Sequence, residues 1–120
     1  RTLISFDAIQ NIYLVQGATD LRKGIDGYAS IVQDRCKLDP YENSLFLFMN
    51  RQNNKLKCLY WDGNGFWLLY KRLYEGTFKW LKSSDDNPSV EITHQQLRWL
   101  LDGLNPVQKR AFEMKKYAFV

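Results

Sequence analysis

The chain has 120 residues, 45% of them hydrophobic, which is the length and apolar content of one domain around one core. Two isolated cysteines, Cys36 and Cys58, and a single histidine, His94, exclude a disulfide framework and a zinc cluster, so both cysteines are read as small core residues. The net charge of +4 is local: residues 51 to 82 hold 7 cations against 2 anions, residues 83 to 104 hold 1 against 4, and the tail holds 4 against 1, so the pointer to an anionic partner lies on the aromatic hairpin region and on the tail KRAFEMKK.

The N-terminal RTLISFDAIQ lacks the layout of a signal peptide, and no apolar run is long enough to cross a bilayer. The expected location is the cytoplasm, with an initiating Met trimmed before Arg1. NIYLV, Asn11 to Val15, is β-branched in part and followed by Gly17, which predicts a strand. In TDLRKGIDGYASIVQDRCKLDP, residues Ile25, Tyr28, Ala29, Val32 and Cys36 recur at helical spacing and the pattern stops before Pro40. Gly24 and Gly27 each cost about 1 kcal/mol in a helix interior, so they are read as letting this helix approach the sheet. Arg22 and Lys23 precede its first turn, where free backbone N–H groups favour an anion; they are either a phosphate site or solvated cations, and no standard nucleotide-binding motif is present.

From Leu45 the period changes to two. LFLFMN, RQNN, KLKCLYW, DGNG and FWLLYKRL predict a three-stranded antiparallel meander over about residues 45–73, with Met49 opposite Leu56 and Trp61 opposite Phe66. One face then collects Leu45, Leu47, Met49, Leu56, Cys58, Tyr60, Trp67 and Leu69 and is read as core, Trp67 included. The other is apolar at Phe46, Phe48, Leu59, Phe66 and Leu68 and basic towards Lys55, Lys57 and Arg72, with Tyr70 and Trp61 as aromatic neighbours.

TFKW, Thr77 to Trp80, is a candidate fourth strand, and SSDDNPS reads as an exposed loop. In EITHQQLRWLLDGLNP, Thr93 and Gln96 form a capping box, Ile92 and Leu97 a hydrophobic staple, and Leu97, Leu100, Leu101 and Leu104 a stripe ended by Gly103 and Pro106. His94, in the first turn, is expected to face solvent. The basic tail, 105–120, is read as a short helix or a mobile tail. No spacing among the carboxylates picks out a catalytic or metal-binding set, and Asp62 is explained by the DGNG turn.

Three stretches in this order, YLVQGATDLRKGIDGYASIV, LDPYENSLFLFMNRQNNKLKCLYWDGNGFWLLYKRLYEGTFKW and ITHQQLRWLLDGL, resemble the small accessory protein TnpB of IS66-type bacterial insertion sequences. The resemblance covers roughly Asn11 to Leu104 and does not extend to the RNA-guided nuclease that shares the name. It implies a role in DNA transposition beside a separate transposase that carries the acidic catalytic residues, and assigns no role to Lys109, Arg110, Lys115 or Lys116 of the tail.

The expected architecture is a single α+β domain over residues 1–104, a mainly antiparallel sheet built on the meander with two amphipathic helices. The expected function is a non-enzymatic accessory factor with no cofactor, metal or catalytic residue. Lys55, Lys57 and Arg72 are expected to neutralise DNA phosphates, Tyr70 and Trp61 to offer flat contacts, and Arg22 and Lys23 to add a second phosphate site. In the alternative, the same face is an interface core that docks on the transposase without touching DNA.

Overall fold

The period-two segments form strands and the helical stripes form helices, but they assemble into a mixed sheet. In the computed structural model of the protein, residues 6–79 and 86–104 are described. They form β1 (Asn11–Ala18), α1 (Ile25–Ser30), β2 (Ser44–Met49), β3 (Lys55–Trp61), β4 (Phe66–Arg72), β5 (Ser89–Ile92) and α2 (His94–Leu101). The order across the sheet is β4-β3-β2-β1-β5. The β2–β3–β4 pairings are antiparallel, with Met49 opposite Leu56 and Trp61 opposite Phe66 as the turn positions require. β1 lies parallel to β2, which the intervening α1 makes possible by carrying the chain back to the starting edge.

The sheet is covered on both faces. Over one face α2 seats Leu97 and Leu100 among Ile12, Leu14, Leu45, Leu47, Leu56 and Cys58. Over the other α1 seats Tyr28, Ala29 and Val32 among Val15, Phe46, Phe48 and Leu59. The six residues of β2 are therefore all buried, the pattern of a strand with no solvent face. The face read as mixed is a second core in its middle, and only its ends remain accessible.

α1 continues as a widened π turn over Ile31–Arg35, where the Cys36 N–H donates to the Ile31 carbonyl at 3.1 Å. Lys37 then takes a left-handed conformation, φ 58°, and the Leu38 N–H donates back to the Val32 carbonyl at 3.0 Å. The glycines of this segment do not mark a close approach to the sheet. Gly24 is the N-cap with open space where a Cβ would stand, and at Gly27 a Cβ would meet the Lys23 stem at 3.2 Å.

α2 begins as its sequence dictates: Thr93 Oγ1 accepts from the Gln96 N–H at 3.1 Å, and Gln96 Oε1 accepts from the Thr93 N–H at 2.9 Å. His94 does not face solvent. Its Nε2 stands 2.7 Å from the Ile9 carbonyl, which only accepts, so Nε2 carries the proton and ties the N-terminal segment to α2. The leucine stripe is shorter than read, because Leu104 lies past the helix end and is 46% exposed.

Two further readings are corrected. Trp67 is half-buried and outside the core, on the edge strand β4, none of whose residues is fully buried; Lys71 on the same strand donates from Nζ to the Leu101 carbonyl at 2.6 Å. The indole of Trp67 instead donates to Asp62 Oδ2 at 2.7 Å. Thr77–Lys79 form no strand, although Phe78 is buried; the outer strand is β5, which pairs antiparallel with β1. Trp80, the first three residues of the SSDDNPS loop and the tail 105–120 lie outside the described residues.

Candidate nucleic-acid interface

Because β1 and β2 are parallel, their C-terminal ends lie side by side, and the short β2–β3 turn brings the start of β3 and the end of β4 to the same edge. Asn50 builds that turn: its Oδ1 accepts from the Asn54 and Lys55 N–H groups at 3.0 Å each, and its Nδ2 donates to Asn54 Oδ1 at 2.7 Å. Asn53 completes it in the left-handed region at φ 60°, where asparagine is tolerated. Arg51 is held exposed at the tip.

The predicted residues meet at this end. Lys55 stands directly opposite Arg72, and Lys57 opposite Tyr70. Neither the Lys55 nor the Arg72 side chain has an ion-pair or hydrogen-bond partner among the described residues. Like charges facing one another across a strand pair destabilise the sheet, and these have no acidic partner among the described residues. Tyr70 is 54% exposed and is not covered by α1. Lys57 differs from its neighbours: it is half-buried, Nζ donates to the Leu21 carbonyl at 2.7 Å, and it lies 5.9 Å and 5.7 Å from the ring centroids of Tyr28 and Tyr70.

Arg22 is already paired. Its Nε and Nη2 hold the two carboxylate oxygens of Asp20 at 3.0 Å and 2.9 Å, and its backbone N–H adds a third bond at 2.9 Å. These bonds, with the charges of Arg22 and Lys23, hold the Asp20 carboxyl well below the usual carboxylate range. Arg22, Arg51 and Lys55, with Asp20 between them, line an open cleft of about 500 Å³ at the ends of β1 and β2.

The structure thus gathers Lys55, Lys57, Tyr70, Arg72 and Arg22 at one end, with Lys23 beside Asp20. It does not bring Trp61 there: Trp61 closes β3 at the opposite end, about 20 Å from Lys55 at roughly 3.4 Å per residue. Sequence reasoning missed Arg51, which reads as turn polarity. Its signal was available, since a four-residue turn between paired strands must lie at the same end as Lys55 and Arg72. Among the described residues no three His, Cys, Asp or Glu side chains converge as a metal-binding group, and no helix is long and apolar enough to cross a membrane.

The strand, glycine-bearing loop and helix, aromatic hairpin and capped helix occur here in the order of a known family, and the family model described as "IS66 Orf2 like protein" matches residues 10–111. The chain belongs to the IS66 Orf2-like (TnpB) family. Its role is therefore an accessory one associated with transposition of an insertion sequence. The uncharacterized protein y4hO of Sinorhizobium fredii is 36% identical to this TnpB protein over 94 residues, covering 78% of this chain and 80% of the relative. The uncharacterized protein y4jC of the same organism is 30% identical over 86 residues, covering 72% of each. No solved structure matches this TnpB chain.

Proposed function

We propose that this TnpB protein is a non-catalytic accessory factor that binds the DNA backbone of the element's ends through the basic end of its sheet. The observation that carries the reading is the facing pair Lys55 and Arg72, two cations in register with no acidic partner among the described residues. A phosphate between or beside them converts a repulsive pair into a bridged one. Arg51 extends the contact from the turn, and Tyr70 offers an exposed ring next to it. Lys57 adds charge two residues along the strand from Lys55, and Arg22 lines the cleft with Lys23 next to it in the chain, where the Asp20 carboxylate offsets one of their charges. Contacts of this kind neutralise phosphates and orient the duplex without reading its sequence.

The non-catalytic reading rests on how the carboxylates are employed. Asp20 clamps Arg22, Asp39 and Asp62 accept from backbone N–H groups in their loops, and Asp7 stands 3.7 Å from Arg98. A second reading, a module that docks on the transposase without contacting DNA, is favoured by the exposed ring of Tyr41, which packs against Trp61 and Phe66 at the other end of the sheet. A pull-down of the element's transposase, with and without its terminal DNA, separates the two. DNA-dependent recovery that weakens in a Lys55→Gln, Arg72→Gln protein supports DNA binding; full recovery from nuclease-treated material supports docking alone.

A further inference from the structure

The end of the sheet away from Lys55 and Arg72 has the opposite character. β3 finishes at Trp61 and β4 starts at Phe66, with ring centroids 4.9 Å apart. Tyr41, from the loop before β2, completes a trio at 5.0 Å from Trp61 and 5.3 Å from Phe66. Tyr41 is 52% exposed, while Trp61 and Phe66 are half-buried. The trio is held in place. The Tyr41 N–H donates to Asp39 Oδ1 at 2.9 Å, and the hairpin that carries Trp61 and Phe66 is closed by Asp62, which accepts from the Asn64 and Gly65 N–H groups and from the Trp67 indole.

Beside these rings lies a groove of about 400 Å³ whose lining includes Tyr41, Asn43, Tyr60, Trp61 and Asp62 and no cation among the described residues. Asp62 is in the lining and Glu42 is exposed between the lining residues Tyr41 and Asn43, so two carboxylates belong to this region. Aromatic faces present negative potential, and a carboxylate beside them repels a phosphate backbone while attracting a cation. Exposed rings with a carboxylate in the lining have the composition of a protein-binding patch, in which rings anchor and charges select.

We propose that this groove docks a basic polypeptide segment, seating an arginine or lysine side chain against the Tyr41 and Trp61 rings, with Asp62 in the lining and Glu42 next to Tyr41 in the chain. Charge complementarity selects this occupant, because a nucleic acid would meet the carboxylates with its phosphates. The site lies about 20 Å along β3 from the basic end, at roughly 3.4 Å per residue, so one chain holds an anion-facing pole and a cation-facing pole. The proposal stands whether or not the basic end binds DNA.

The test is a titration of the full, ¹⁵N-labelled chain followed by NMR. The probes are the peptide acetyl-Gly-Arg-Gly-Lys-Gly-Arg-amide, the same peptide with Glu at each basic position, and a twelve-residue oligothymidine. The basic peptide is expected to move the Trp61 indole signal and the amides of residues 41–43 and 60–63, and the acidic peptide to leave them still. Tyr41→Ala should weaken the basic peptide by about two- to fivefold and Tyr41→Phe should restore it, the behaviour of a cation held on a ring. Glu42→Gln, which spares the rings, should weaken it by about two- to fivefold, as loss of one exposed charge does. Lys55→Gln with Arg72→Gln should leave the peptide affinity unchanged, which keeps this site distinct from the DNA reading. The proposal is overturned if the basic peptide moves no signal at the groove, or if oligothymidine moves these signals more strongly. Peptide-free shifts of the same signals with protein concentration would assign the groove to a second copy and overturn it equally.

Discussion

Replacing Lys57 by Met keeps the aliphatic stem and removes the ammonium, which isolates what that charge does for the fold. In the native protein Nζ donates to the Leu21 carbonyl at 2.7 Å and lies within 6 Å of two tyrosine ring centroids, at 5.9 and 5.7 Å. A hydrogen bond from a charged donor contributes about 1.5–3 kcal/mol, and a cation–π contact at a partly exposed site about 0.5–1 kcal/mol. Hydration regained by the ammonium on unfolding offsets part of this, leaving an expected loss of about 2 kcal/mol. At about 4–6 °C per kcal/mol for a domain near this size, the melting temperature should fall by roughly 10 °C. Lys55→Met, two residues earlier on the same face, is the control. The Lys55 side chain has no hydrogen-bond or ion-pair partner among the described residues and faces Arg72, so its removal should change stability by less than about 0.5 kcal/mol or raise it. Thermal unfolding by circular dichroism at pH 7, supported by urea titration, reads both. A Lys57→Met protein that melts with the wild type, or a Lys55→Met protein that loses as much as Lys57→Met, refutes the reasoning.

Thr93→Ala removes the capping oxygen from the first turn of α2 and should lower stability by about 1 kcal/mol, seen as a lower urea midpoint at unchanged slope, with Thr93→Ser near neutral. The Asp62 carboxyl is held below its usual value by the Trp67 indole and then by the Asn64 and Gly65 N–H groups. Its folded value is the lower one, so its contribution is present above the unfolded value of about 3.9 and is lost as pH falls through the folded value; the Trp67 indole NMR signal should stay constant from neutral pH to about 4 and move below it. Burial pushes the Cys58 thiol up to about 12 and the Cys36 thiol up as well, so neither should react with iodoacetamide at pH 8 until urea unfolds the protein, and native labelling of Cys58 would contradict its placement in the core.

The meander was legible because two short turns fix register, and register fixes which residues face each other: Lys55 and Arg72 follow from counting outward from RQNN and DGNG. α2 was legible from Thr93 and Gln96, since a capping box is local chemistry. The parallel β1–β2 pair was not, because nothing local distinguishes a strand that pairs with its neighbour from one reached through a crossover. That one pairing accounts for several corrections. It puts β2 in the centre, buries Phe46 and Phe48 beneath α1, and leaves the β1 edge free for β5, a strand of only four residues hidden beside the α2 cap. Trp67 was misread because period two assigns a face and not a depth: β4 is an edge strand of the sheet, and none of its seven residues is fully buried. Of the site, the cations were readable as charge, whereas the Asp20 clamp on Arg22 and the Leu21 hold on Lys57 depend on how the β1–α1 loop folds back over β3.

The central claim, that the basic end of the sheet neutralises DNA phosphates, is tested most directly by the salt dependence of affinity for a duplex carrying the element's terminal sequence. Fluorescence anisotropy would be followed over a range of salt for the wild type and for a protein with Arg51, Lys55 and Arg72 each changed to Gln, after confirming that both melt at similar temperatures. The wild type should lose affinity linearly on a log–log plot, and the variant should bind more weakly with a slope shallower by about 0.9 for each phosphate contact removed, about 2.7 if all three residues make one. Parallel slopes and equal affinities for the two proteins would contradict the claim.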